Sequence, residues 1–216
     1  SIILSTYQSD LYLDAALESL YNQSYQNFEL VLINDNSNDN TEKILDYWKN
    51  KFNNFVYIKN KENLGLTKSL NIGIYKSKGK FIVRHDSDDI SHPSRLAIQD
   101  LFLKAYPKIN LLFAKEIRIN KMGEAIKVSF IKKIIRKIKR LIIFRDLWLY
   151  NSVSHGVVSF QRENKGKVIL YDESYKKSQD FELWSRLILL KKFQARFILI
   201  PLYFLRIHKK SISYTN

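Results

Sequence analysis

The chain contains no cysteine among its 216 residues. A disulfide scaffold, a cysteine nucleophile and a thiolate zinc site are therefore excluded. Six glycines and three prolines are too few for a collagen-like or linker-type polymer. No apolar run approaches the roughly 18 residues that a membrane-spanning helix needs. The opening Ser1-Ile-Ile-Leu-Ser-Thr-Tyr lacks the basic start and small-residue cleavage site of a secretory leader, so none is expected there. Acidic residues are also scarce: 21 Asp plus Glu stand against 36 Lys plus Arg, a net charge of +15. What remains is ample material for a core, with 45% hydrophobic and 26% charged residues. That composition excludes wholesale disorder, and the length suits a single domain. The missing cysteine fits a reducing compartment, though it suits an oxidising one as well. The positive balance predicts attraction to polyanions, meaning nucleic acid, an anionic membrane face or phosphorylated substrates. It fits equally well a lysine-rich drift of composition.

Hydrophobic periodicity divides the first hundred residues into alternating elements. Ile2–Ser5, Phe28–Asn34, Phe55–Ile58 and Lys80–Arg84 read as short buried strands. Between them lie helical spacings: Leu11 to Leu20 with Asp10 as N-cap, a helix capped by Thr41 with Ile44, Leu45 and Trp48, and Leu66 to Ile74. Strand and helix in this rhythm predict βαβ units and an α/β fold with a mostly parallel sheet. The second half is less regular. Ser94–Tyr106 and Gln179–Leu190 read as helices, and Leu111–Asn120, Val153–Gln161 and Phe197–Arg206 as strands. Phe130–Tyr150 reads as a long amphipathic helix with seven cations between Lys132 and Arg145, and Ile207–Asn216 as a polar tail.

In parallel sheets ligands bind beyond the carboxyl ends of the strands, which is where the chain concentrates its polar clusters. Asp86-Ser87-Asp88-Asp89 puts three carboxylates within four residues directly after an apolar strand. Like charges packed together call for a cation. A divalent ion that also holds a diphosphate is one guest, because Mg2+ takes one or two carboxylates plus phosphate oxygens. A solvated, helix-capping turn is the other reading. Asp35 also follows a buried strand, where it can accept a pyrimidine N–H or ribose hydroxyls, or simply cap a turn. Asp180 opens a helix, where it serves either the helix dipole or a general base.

Together these segments resemble family 2 glycosyltransferases. The likeness runs in order through Ser1–Tyr7, Leu17–Thr41, Asn63–Gly73, Arg84–Asp89, Ser154–Val157, Tyr171–Glu173, Gln179–Arg186 and Tyr203–His208. It covers about the whole chain apart from 121–150. The resemblance implies a GT-A fold, with a nucleotide-sugar-binding half over 1–90 and an acceptor half over 91–216. It implies inverting transfer from a nucleotide sugar, here a UDP-sugar, to a glycan or lipid-linked acceptor, with Mg2+ or Mn2+. Carried over residue by residue, Thr6 and Tyr7 line the base pocket and Asp35 holds the uracil or its ribose. Asn63, Lys68, Asp86 and Ser87 contact the nucleotide sugar. Asp86 and Asp88 form the Asp-x-Asp element that meets ribose, metal and diphosphate. Asp180 matches the catalytic base. His208 matches a histidine that approaches the metal or diphosphate in some members.

Three departures stand out. Gln179 replaces a glutamate before the base, Leu70 stands where many members carry arginine, and Ser5 replaces a proline. Either Lys68 then supplies the missing cation to the diphosphate, or nothing does. The basic run at 130–150 fits either an ordinary amphipathic helix or one lying on an anionic membrane, each cation near such a surface being worth about 1 kcal/mol. The expected location is cytoplasmic, with peripheral contact on the inner membrane face. His85, His92 and His155 fit structural and functional roles alike; Trp184 fits a core position or the floor of an acceptor site. The competing class is a non-catalytic basic protein that binds nucleic acid or membrane, but no nucleic-acid-binding motif is readable.

Overall fold

The computed structural model describes residues 1–126 and 153–208. In chain order the strands are β1 (Ile2–Thr6), β2 (Leu30–Asn34), β3 (Phe55–Lys59), β4 (Phe81–Asp86), β5 (Ile90–Ser91), β6 (Ile109–Ile119), β7 (Val158–Gln161), β8 (Glu163–Asn164), β9 (Lys167–Val168) and β10 (Gln194–Arg206). The helices are α1 (Leu13–Tyr21), α2 (Thr41–Trp48), α3 (Leu66–Lys76), α4 (Arg95–Ala105) and α5 (Gln179–Leu189).

A strand such as Leu-Val-Leu-Ile-Asn has no polar face, so it must be covered on both sides. All five residues of β2 are buried, and β1 is nearly so. The eight-stranded sheet runs β3-β2-β1-β4-β7-β6-β10-β5. β3, β2, β1 and β4 pair in parallel, as do β6 and β10. β7 is antiparallel to both β4 and β6, and β5 to β10. The connections from β1 to β2, β2 to β3 and β3 to β4 run through α1, α2 and α3, the last crossing back to place β4 beside β1. This is the α/β, mostly parallel arrangement that the alternation predicts.

Side-chain alternation along β1 feeds two cores. Ile3 joins Val31, Ile33, Leu70 and Ile74 under α3, while Ile2 and Leu4 join Leu13, Leu17, Leu20 and Trp48 under α1 and α2. α3 approaches closely because Gly73 has no side chain. A Cβ there would lie 2.5 Å from Ile33 Cδ1 and 2.9 Å from Ile3 Cγ2.

Several expected boundaries shift. Tyr12, not Asp10, is the N-cap of α1, and it makes no side-chain cap. Asp10 instead gives its backbone N–H to Asp39 Oδ2 at 3.1 Å. Thr41 is the first residue of α2 rather than its cap, and its N–H goes to Asp39 Oδ1 at 3.0 Å. Val153–Gln161 is strand only from Val158, because a 3-10 turn over His155–Val157 precedes it. The expected helix over Phe130–Tyr150 and the tail from residue 209 lie outside the described residues. Among the described residues no helix is long and apolar enough to cross a membrane.

Candidate active site

The carboxyl ends of β1, β2 and β4 meet on one edge, where Asp35 N–H donates to Thr6 O at 2.9 Å. The chain after β4 turns tightly from Asp86 to Ile90, bringing its three carboxylates onto this edge. Asp86 Oδ1 lies 2.6 Å from Nη2 of the fully buried Arg84. Burial pushes the Asp86 carboxyl above its usual range; Arg84 pulls it back, and the charges of Asp88 and Asp180 push it up again. Asp86 N–H donates to the Tyr203 hydroxyl at 3.0 Å. Asp88 Oδ2 is 2.8 Å from His208 Nε2, so two residues 120 apart in sequence touch. Asp89 is buried and its carboxyl is held well above the ordinary range, by burial first and then by the charges of Asp88 and Asp86.

Arg206 fixes this turn from the end of β10. Its backbone N–H donates to Asp89 Oδ1 at 2.7 Å and its Nε to Asp88 O at 2.8 Å. Nη1 reaches Asn120 O at 3.2 Å and Lys121 O at 3.0 Å. Its guanidinium carbon lies 4.6 Å from the Tyr12 ring centre, and the His208 ring is 4.8 Å from the same ring.

The loops after β1, β2 and β4 are cross-linked. Gln8 N–H donates to Ser37 Oγ at 3.0 Å, Gln8 Nε2 to Asn38 Oδ1 at 3.0 Å, and Ser9 Oγ lies 2.9 Å from Ser87 Oγ. Thr6 is buried, and its hydroxyl has no partner among the described residues. Tyr7 is 47% exposed. The buried Asp35 carboxylate accepts from Asn60 Nδ2 at 2.7 Å, from Leu64 N–H at 2.9 Å and from Gly65 N–H at 2.9 Å. It thereby pins the loop that leads into α3, a role its position in the sequence does not reveal. Gly65 takes φ +84° there, a conformation that suits glycine. Asn63 and Lys68 stand exposed on this rim. Leu70 is wholly buried in the core, so that position offers no cation to a ligand.

Asp180 lies in the first turn of α5, and its Oδ1 accepts the Phe181 N–H at 2.8 Å. Its charge is near enough to push up both the Asp86 carboxyl and, behind the larger effect of burial, the Tyr171 hydroxyl. The structure thus gathers Asp86, Ser87, Asp88, Asp180 and His208 around one edge. Trp184 is 4% exposed and packs edge-on against Phe113, Phe160, His155 and Tyr171. It is core, not the floor of an open site. His92 accepts the Ser94 N–H at its Nδ1 at 3.2 Å, a local turn contact. A surface hollow of about 530 Å³ lined by Ser1, Phe28, Asn54 and Gly79 lies at the opposite, amino ends of the strands.

Sequence reasoning missed Arg84, Arg95, Tyr203 and Arg206. All four are buried behind the acidic turn. One signal was available for Arg84 and Arg206: each follows an apolar run two residues before a candidate ligand, Asp86 and His208.

Among the described residues no three Asp, Glu or His side chains form a closed ligand cluster. Two carboxylates and an imidazole do line the turn. That donor set fits an Mg2+ or Mn2+ whose remaining ligands come from a diphosphate, since Mg2+ is usually held in that shared way.

A family model described as glycosyl transferase family 2 matches residues 1–163. An uncharacterized glycosyltransferase from Methanocaldococcus jannaschii is 30% identical over 193 residues, covering 87% of this chain and 64% of the relative. The O-antigen biosynthesis glycosyltransferase WbnJ from Escherichia coli is 30% identical over 197 residues, covering 87% of this chain and 71% of the relative. Among solved structures, S. aureus TarS 1–349 in complex with UDP superposes with a TM-score of 0.70 at 19% identity, over 95% of this chain and 60% of that one. Mannosyltransferase PcManGT from Pyrobaculum calidifontis, in complex with GDP-Man and Mn2+, gives 0.72 at 17% identity, over 97% and 57%. The fold is of the GT-A type seen in these neighbours. The chain spans 64% of the Methanocaldococcus relative and 58% of an uncharacterized glycosyltransferase from Haemophilus influenzae.

Proposed function

The chain belongs to glycosyl transferase family 2, and from that membership we propose that it moves a sugar, with inversion, from a nucleotide sugar to a hydroxyl group. The proposed donor is a UDP-sugar and the proposed acceptor a glycan or lipid-linked glycan. The observation that carries this reading is the meeting of the Asp86–Asp89 turn, His208 and the Asp180 charge at the carboxyl edge of the sheet. Residues 1–90 bind the nucleotide sugar in this reading and 91–216 the acceptor.

Thr6 and Tyr7 line the base pocket. Asp35 orders the rim that carries Asn63 and Lys68, and a carboxylate can accept about four hydrogen bonds, so it retains capacity for a ribose or base donor. Asp86, Asp88 and His208 hold the Mg2+ or Mn2+. Such an ion supplies positive charge against the departing nucleoside diphosphate. Asp180 takes the proton from the acceptor hydroxyl as that oxygen attacks the anomeric carbon. A single displacement inverts the centre and requires no enzyme nucleophile. Peripheral contact with an anionic membrane through Lys132–Arg145 belongs to the same proposal. Flotation with anionic liposomes at low salt tests it, and absence of binding refutes it.

The decisive assay offers UDP-, GDP- and dTDP-sugars with Mg2+ or Mn2+ and a panel of glycan acceptors, and follows release of the nucleoside diphosphate. Release from one donor that needs the metal and is lost in Asp180→Asn is the expected result. No release, together with no metal-dependent UDP binding, overturns the reading.

A further inference from the structure

Arg84 is a cation without solvent, at 0% exposure. A charge in that position must have its N–H groups satisfied and its charge compensated. Nη1 donates to Ile3 O and to His85 O, the latter at 3.2 Å. Nε donates to His155 Nε2 at 3.2 Å, and Nη2 to Asp86 Oδ1 at 2.6 Å. The guanidinium is a rigid planar fork. With Nε and Nη1 held, the direction of Nη2 is fixed, and with it the Asp86 oxygen that meets it. His155 therefore determines how Asp86 is presented, although it does not touch that residue.

His155 can do this in one protonation state only. Its Nε2 receives the Arg84 N–H and lies 2.6 Å from the Tyr171 hydroxyl. The Arg84 N–H needs an unprotonated nitrogen, so Nε2 is the bare one and the ring is neutral with its proton on Nδ1; its single lone pair is shared between Arg84 Nε and the Tyr171 hydroxyl. Tyr171 is fixed in turn. Its backbone N–H donates to Asn71 Oδ1 at 2.8 Å, and Asn71 Nδ2 donates to its carbonyl at 3.0 Å. The preceding carbonyl, of Leu170, accepts from Arg186 Nη2 on α5 at 2.7 Å. One continuous set of contacts thus runs from α5, which bears Asp180, through Tyr171, His155 and Arg84 to Asp86.

We propose that His155 and Tyr171 are positioning residues that hold Arg84 in the plane from which it orients Asp86, and so register the acidic turn against the helix that carries Asp180. The inference rests on the glycosyltransferase reading for its functional consequence, but not for its geometry. Loss of an outer partner of a metal-ligating group typically lowers metal affinity about 10–100-fold.

The test compares the wild-type chain with His155→Leu, His155→Gln and Tyr171→Phe, by crystal structure and by Mn2+ titration in the presence of UDP. In His155→Leu the contact between Arg84 Nη2 and Asp86 is expected to break and Mn2+ affinity to fall at least about tenfold. His155→Gln offers an amide oxygen to Arg84 Nε and is expected to recover most of both. A merely structural role would not distinguish Gln from Leu at equal loss of melting temperature. Tyr171→Phe removes one hydroxyl and keeps the Asn71 clasp; the expected fall is about fivefold, the size of one ordinary hydrogen bond. It decides the matter if His155→Leu does not fold. An unchanged Asp86 contact, unchanged Mn2+ affinity, or Gln no better than Leu overturns the inference. If the wild-type chain binds no UDP with any metal, the glycosyltransferase reading fails, and the crystal structures alone decide the positioning.

Discussion

Gly156→Ala is expected to damage this protein out of proportion to one methyl group. A Cβ at position 156 would lie 2.1 Å from the Tyr203 hydroxyl oxygen, 2.5 Å from Cζ and 2.8 Å from Cε1. Ordinary contact with a Cβ begins near 3.4 Å, so the ring must retreat by more than 1 Å. It has nowhere to go. Tyr203 is fully buried, its ring centre is 4.7 Å from the Arg95 guanidinium carbon and 5.4 Å from the His85 ring, and its oxygen receives the Asp86 N–H. Overpacking of this kind costs about 1–3 kcal/mol, and a lost buried hydrogen bond adds about 1 kcal/mol. For a chain of this size each kcal/mol shifts the melting temperature by about 2–4 °C, so a fall of about 5–15 °C is expected. The assay is thermal unfolding of four proteins: wild type, Gly156→Ala, Tyr203→Ala and the double variant. In the Tyr203→Ala background the added methyl has room, so the two changes should couple by about 2 kcal/mol. Gly156→Ala melting within about 2 °C of wild type, or losing the same amount in both backgrounds, would refute the reasoning.

Two further outcomes follow from the buried groups. The His155 imidazole is held well below its ordinary value of 6.5, chiefly by burial and then by Arg84. Below pH 6.5 the unfolded chain takes up a proton that the folded one refuses, so this stabilisation is complete above 6.5 and is lost as pH falls. Urea titrations of wild type and His155→Gln should therefore show their stability difference shifting against wild type by about 1.4 kcal/mol per pH unit below 6.5. A pH-independent difference would mean that the ring is charged or exposed. Arg206→Lys should cost about 2–3 kcal/mol in chemical denaturation, because an ammonium cannot reach Asp88 O, Asn120 O and Lys121 O together. Stability equal to wild type would show that charge alone is needed at that position.

The elements that the sequence displayed most plainly were those governed by short-range pattern. β1 and β2 were visible as apolar runs closed by polar residues, and α3 as a stripe after an Asn-Leu-Gly turn. Asp86, Asp88 and His208 were singled out by motif, and the fold brings Asp88 and His208 to 2.8 Å. Asp10 failed as a cap because capping depends on the path of the chain. Gln8 sits at φ +49°, and the loop turns toward Asp39, which takes both the Asp10 and Thr41 N–H groups. Asp35 looked like a ligand to nucleotide and is also the anchor of its own loop. Arg95 gave no signal, and Arg84 and Arg206 showed only as charges in apolar strands whose partners could not be read, for a different reason. A buried cation depends on acceptors delivered by distant strands: Ile3 lies 81 residues from Arg84, and Gly156, whose carbonyl Arg95 binds, lies 61 residues away. No local window contains those partners.

The placement of β10 has a consequence in time. It brings Tyr203, Arg206 and His208 to a turn made from residues 86–89, across 117 to 120 positions of chain. As the polypeptide leaves the ribosome, β1 to β4 and their helices can pair while this last strand is still unmade. During that interval three crowded carboxylates lack the arginine and the histidine that hold them. Contacts so remote in sequence form late and slowly. A pulse-labelled nascent chain arrested before residue 200 should therefore resist protease across its first sheet while the 86–89 turn remains cleavable.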